Sequence, residues 1–225
     1  MNRRICLLLM GRYEQGWRDY HARWDFPEFT DRNDQILGPI WIGSESIQGK
    51  RILLQSEQGL GDTIQFCRYA KLVADQGAEV LLSVQQRHLN DRNRSMLLTQ
   101  LAPLDRLGVA LFGLQKDIRG VDRAMSTTFR NLQLLGDEIT DFRDTAALLT
   151  LMDAVVTVDT SIAHLAGALA RPLLLMLPNV CDWRWMLQRD DSLWYPTAHL
   201  FRQTRPGHWS DVVQRVCAQV ATTRE

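Results

Sequence analysis

The sequence lacks most of the signals that would assign a small protein at a glance. Its four cysteines, Cys6, Cys67, Cys181 and Cys217, are widely scattered and form no CxxC pair; isolated buried thiols in a reducing compartment are expected. No apolar run approaches the roughly 20 residues that span a bilayer. The opening "MNRRICLLLM" has an apolar stretch only from Ile5 to Met10, below the roughly 7–15 residues of a secretory core, and no small-residue cleavage site comes after it. That start reads as a helix, and the protein as cytoplasmic. Neither charge is in excess: 26 basic residues face 26 acidic ones, and no basic patch stands out. Nucleic acid and anionic lipid are therefore not expected partners. What is present, 45% hydrophobic and 23% charged residues, is the composition of an ordinary globular domain.

Residues 1–24 place Leu8, Leu9, Tyr13, Trp17 and Tyr20 at near-helical spacing, with Gly11 breaking the run. This is the aromatic and glycine pattern of a tetratricopeptide helix pair, a unit that cannot bury its own face. Either upstream repeats are lacking or the hairpin docks on the domain C-terminal to it. Residues 25–49, with Pro27, Gly38, Pro39, Gly43 and Gly49, read as a linker with turns. The rhythm then changes to alternating strands and helices. "RILLQS" (51–56), a helix over 63–76 and "EVLLSV" (79–84) form one β-loop-α-β unit of a parallel sheet. Next come a helix near 95–107, a strand at "VALFGL" (109–114) and a helix near 144–152 capped by Asp141 or Asp144. "AVVTV" (154–158) reads as a strand covered on both faces. A helix over 161–169 and the strand "PLLLML" (172–177) complete a second unit, and 208–221 reads as an amphipathic closing helix with Val212, Val213, Val216 and Val220 inward. The class is α/β.

Two strand-to-helix turns carry the chemistry. In "SEQGLGDTIQF", Gly59 and Gly61 fit the first and third places of a dinucleotide fingerprint, but the sixth is Ile64. The acidic residue that would hold a ribose is absent at Val84-Gln85-Gln86, so no nicotinamide or flavin cofactor is expected. The turn instead presents Asp62 at a helix start, where it could simply cap the helix. In "VTVDTSIAHLAGAL", Asp159 or Thr160 can cap a helix whose first amides, on Ser161, Ile162 and Ala163, suit an anion such as phosphate. Ile162, Leu165, Ala166 and Leu169 recur at core spacing, which predicts that His164 lies off the core face, beside any bound anion; a satisfied structural histidine is the blander alternative. Lys116 stands just past a strand end, where α/β sheets bind ligands, though a surface lysine would look the same. Trp183, Trp185, Trp194 and Tyr195, with Arg184 and Arg189, could stack on a base or form a structural cluster. No carboxylate set suggests a metal.

Together, "EQGLGDTIQFCRYA", "RNRSM", "DFRDTAALL", "VDTSIAHLAGAL", "DWRWML" and "WYPTAHLFRQ" resemble the bacterial tetratricopeptide-linked glycosyltransferases, relatives of the heptosyltransferases of glycosyltransferase family 9. The resemblance implies two facing Rossmann-like domains of parallel sheet, with an N-terminal helical hairpin. It also implies transfer of a sugar from a nucleotide-diphosphate sugar to a hydroxyl acceptor, without a metal or other cofactor. Asp62 would be the general base. Gly59, Gly61, Lys116, Asp159, Thr160, Ser161 and His164 would bind substrate, Lys116 neutralising charge on the leaving nucleotide. The family carries many tens of residues that this chain lacks where Gln86 adjoins Arg87, so the resemblance implies a shortened member: a hairpin and linker (1–49), a remnant of the acceptor domain (50–86) and a donor domain (87–225). The "RILLQS" strand would then join the donor-domain sheet. Ala170 stands where glycine is usual, Leu193 where proline is, and His21 where glutamate is. The alternative function is a catalytically inactive nucleotide-sugar-binding remnant or a protein-interaction module. Apolar surface left by the lost segment would favour self-association.

Overall fold

The computed structural model describes residues 3–25, 39–56, 59–83 and 95–222. The expected seam at Gln86–Arg87, the strand end at Val84-Gln85-Gln86 and the linker's Pro27 and Gly38 lie outside them. In chain order the elements are α1 (Arg3–Leu9), α2 (Tyr13–His21), β1 (Arg51–Gln55), α3 (Leu60–Phe66), α4 (Tyr69–Ala74), β2 (Glu79–Ser83), α5 (Ala102–Asp105), β3 (Leu111–Gly113) and α6 (Gly120–Ser126). Then come β4 (Leu132–Leu134), α7 (Phe142–Leu151), β5 (Val155–Val158), α8 (Ser161–Ala168), β6 (Leu173–Leu177), β7 (Ala198–Arg202) and α9 (Ser210–Thr222). Every strand pairing among them is parallel. The chain is therefore a mixed α/β protein with short parallel sheets.

It divides into two compact units. The first comprises Met1–Ser56, Phe66–Val84 and Cys181–Arg189. Its α1–α2 hairpin closes tightly because Gly16 has no side chain: a Cβ there would come within 2.6 Å of Leu8 Cδ2. The turn between the helices uses Gly11 at φ +73, against Met186 Cε. Leu7, Leu8 and Leu9 are buried, and Trp17 meets Trp183 edge-on at 5.1 Å between ring centroids. The hairpin thus covers its apolar face with the 183–186 segment. In the same unit β1 pairs with β2, Arg51 opposite Glu79, over a small core of Ile47, Val73 and Ala78.

The second unit comprises Glu57–Gln65, Gln85–Val180 and Asp190–Glu225. Its centre is the three-stranded sheet β5-β6-β7, with β6 buried at all five positions, as a strand covered on both faces must be. Leu174, Met176 and Phe201 pack on Trp209, Val212, Val213 and Val216 of the closing segment, with Leu104. A separate pair, β3 and β4, sets Leu111 opposite Leu132.

Several expectations need correction. β1 pairs with β2 rather than extending the sheet that contains β5. The single helix expected over 63–76 is two, broken at Cys67-Arg68, where the Ala70 amide donates to the Cys67 carbonyl at 2.9 Å in a tightened turn. The helix expected over 95–107 is a 3-10 turn (Leu98–Leu101) followed by α5. Pro103 explains this, because its missing amide and fixed φ start a helix but cannot continue one. Cys67 is exposed rather than buried. α6, β4 and β7 had no expectation: a three-residue strand offers no period to read, and in "AHLFR" the adjacent Leu200 and Phe201 obscure alternation.

Candidate functional site

Both turns singled out in the sequence belong to the second unit, and they meet. Gly61 lies against the start of α8: a Cβ there would sit 2.7 Å from His164 Cδ2 and 3.5 Å from Ser161 Cα. Glycine is needed for this approach, not for an unusual φ. One residue on, Asp62 is half-buried, and its Oδ2 accepts the Gly59 amide at 3.1 Å. This reach-back from the third helical position is half of a capping box, so the capping role weighed for Asp62 is present.

The start of α8 follows from β5 ending in Val158 and Thr160 adopting extended backbone at the N-cap, φ −139 and ψ 176. The Thr160 side chain makes no capping bond; its hydroxyl lies 3.4 Å from that of Thr157. The Ala163 amide donates to the Thr160 carbonyl at 3.0 Å, so it is not one of the open donors expected. The amides of Ser161 and Ile162 have no acceptor among the described residues. They sit at the positive end of the helix dipole.

The orientation of His164 also needs correction. The buried side of α8 is Ala163, His164, Ala166 and Gly167, whereas Ile162, Leu165 and Leu169 are half-buried. His164 is therefore a core residue. Periodicity sorts side chains by polarity, but a buried polar group is stable once it is hydrogen-bonded, and here Nδ1 lies 2.9 Å from the Tyr195 hydroxyl. Its other nitrogen, Nε2, is 3.8 Å from Oδ1 of the buried Asp159. Tyr195, 1% exposed, lies on the helix backbone at Gly167, where a Cβ would come within 2.4 Å of Tyr195 Cγ.

The structure thus brings together Gly61, Asp159, Ser161 and His164, with Gly59, Asp62 and Thr160 adjoining them. Lys116 is exposed on the loop after β3, and among the described residues no hydrogen bond joins it to this cluster. Gly136 shapes its loop, since a Cβ there would fall 2.0 Å from the Gln115 carbonyl oxygen. Of the aromatic run, Trp183 and Trp185 are buried in the first unit, with the Arg184 guanidinium 4.7 Å over Trp183, and Tyr195 is buried in the second. The sequence offers Tyr195 only as one of an aromatic run and Gly167 only as a residue that lets backbone approach closely; that Tyr195 meets both Gly167 and His164 is not legible in it. The signal was there in "WYP", but an aromatic beside other aromatics does not announce which one is bonded to a histidine. Among the described residues no group of three His, Cys, Asp or Glu could hold a metal ion, and no helix is long and apolar enough to cross a membrane.

Open amides at a strand-to-helix turn of an α/β unit are chemistry that suits an anionic ligand. Residues 98–176, which include Lys116, Asp159, Thr160, Ser161 and His164, match the family described as glycosyltransferase family 9 (heptosyltransferase); that segment is related to this family. The chain is also 40% identical to Protein FlbA of Caulobacter vibrioides over 65 residues, 28% of this chain and 11% of that protein. The similarity therefore spans a small part of its relative. No solved structure matches.

Proposed function

We propose that this chain is glycosyltransferase-like, binding a nucleotide-diphosphate sugar at the start of α8 and transferring the sugar to a hydroxyl acceptor. The reading rests on the contact of Gly61 with His164 and Ser161, which joins the turn carrying Asp62 to a helix start with open amides. In the proposed reaction the Asp62 carboxylate takes the acceptor hydroxyl proton. The acceptor oxygen attacks the anomeric carbon, and the bond from that carbon to the diphosphate breaks. The amides of Ser161 and Ile162, the helix dipole and His164 hold the departing diphosphate, with Lys116 adding positive charge; preorganised donors of this kind are where such catalysis gains most. Residues 87–225 would be the donor half, 50–86 the acceptor remnant and 1–49 a tetratricopeptide-like hairpin, in a cytoplasmic protein.

A second reading, nucleotide-sugar binding without transfer, is favoured by one observation: the family match begins at residue 98 and leaves out Asp62. Calorimetric titration with nucleoside diphosphates and their sugars, followed by a donor-consumption assay, separates the two. Ser161→Asp adds a negative charge that suits a helix start but repels a diphosphate. It should abolish saturable binding while leaving the melting temperature unchanged or higher; unaltered binding would reject the site. Asp62→Asn should keep binding and lose transfer. Binding without turnover in the unmodified protein would select the second reading.

A further inference from the structure

We propose that Tyr195 is a positioning residue that holds the His164 imidazole by donating to Nδ1, with the ring proton on Nε2 toward Asp159. This rests on the donor-site reading only for its effect on nucleotide binding. The geometry stands without it. His164 is held on three sides: Gly61 against Cδ2, the Tyr195 hydroxyl 2.9 Å from Nδ1, and Asp159 Oδ1 3.8 Å from Nε2. A neutral imidazole has one N–H and one lone pair. An ionised carboxylate only accepts hydrogen bonds, so the nitrogen facing Asp159 is the one favoured to carry hydrogen. A lone pair there would face the carboxylate's negative charge. Nδ1 is then the acceptor, and the tyrosine hydroxyl, which can play either part, donates to it.

The hydroxyl has little freedom to do otherwise. The Tyr195 ring is 1% exposed and rests on the α8 backbone at Gly167, closer than any side chain there would allow. The loop that carries it runs directly into β7, whose Ala198 is in register with Leu173 of β6. Tyr195 and His164 are therefore anchored to the same sheet by two different connections. A bond at a buried imidazole of this kind sets which nitrogen is presented outward.

Histidine ring correlations by nitrogen-15 NMR test this, recorded above the titration of the neutral form and assigned by loss of the His164 signals in His164→Gln. The unmodified protein should show the Nε2–H pattern with a hydrogen-bonded Nδ1. Tyr195→Phe, which keeps the ring on Gly167, should leave the proton on Nε2, where Asp159 still favours it, but move the Nδ1 resonance to that of an unbonded lone pair and weaken binding of ADP or UDP about tenfold, as one lost hydrogen bond would. An Nδ1–H pattern in the unmodified protein, or an Nδ1 resonance unmoved in Tyr195→Phe, overturns the proposal. If the Nδ1 resonance moves as expected but neither ADP nor UDP binds the unmodified protein, the Tyr195 assignment stands and the donor-site reading falls. Should Tyr195→Phe not fold, the unmodified protein decides alone: Nε2–H with a slowly exchanging Tyr195 hydroxyl proton upholds the proposal, and Nδ1–H ends it.

Discussion

His164 shows how far a single residue can be read. Its presence at a strand-to-helix turn was legible, and so was its proximity to the open amides of a helix start. Its burial was not, because the partner that makes burial tolerable, Tyr195, is thirty-one positions away in the chain. Gly61 has the same lesson. It looks like part of a glycine fingerprint, yet its backbone needs no glycine; the His164 ring does. Gly61→Ala should therefore destabilise the protein by roughly 1–3 kcal/mol, the usual cost of forcing extra volume into a packed site, as measured by urea unfolding. A change well below 0.5 kcal/mol would mean that the ring moves aside. Gly167→Ala, aimed at the Tyr195 ring carbons themselves, should cost more.

At the scale of elements, helix ends were read better than helix middles. Asp141 and Asp144 were both candidates to cap α7, and both do. Asp141 accepts the amides of Arg143 and Asp144, and Asp144 accepts that of Asp141. The Arg143 side chain holds the Asp141 carboxyl below its ordinary value, and the Thr140 hydroxyl does the same for Asp144. Because these values are lowered in the folded state, their contribution is complete above the ordinary carboxylate value of 3.8 and fades as pH falls through it towards the lowered ones. Amide exchange in the first turn of α7 should accelerate at pH 3 relative to pH 6 beyond what intrinsic rates give, and Asp141→Ala should remove that difference.

The far end of α8 is less well matched to its sequence. The Arg171 amide donates to the Ala166 carbonyl and the Ala170 amide to Gly167, a Schellman ending that sets Ala170 at φ 53. Left-handed backbone costs a non-glycine residue about 1–2 kcal/mol. Ala170→Gly should therefore stabilise the protein by about 1 kcal/mol in the same urea experiment, and a loss of stability would show that the methyl group packs usefully. The family resemblance marks this position as one where glycine is usual; the φ angle supplies the reason.

For the whole molecule, the alternation of strands and helices gave the α/β class and the parallel pairing of β5 with β6. It did not give β4 or β7, nor the placement of residues 57–65 with the second unit, because these depend on contacts between distant segments that no local pattern encodes. Charge and surface do lead to a prediction at this scale. The chain has no net charge near pH 7, and Leu53 and Leu81, which are in register on β1 and β2, are 52% and 51% exposed. Self-association should be strongest near pH 7 and weaker at pH 5 and pH 9, where like charge builds up. Light scattering across that range checks it, and Leu53→Lys with Leu81→Lys should flatten the profile; association indifferent to both would place its cause elsewhere. The order β5-β6-β7 has a consequence for how the chain acquires its structure. Each strand of this sheet lies beside the strand that precedes it in the chain, so no partner has to be fetched from far away. Short closures of this kind form fastest. On a ribosome, β6 would find β5 already made, and β7 would find both, before α9 emerges to cover them.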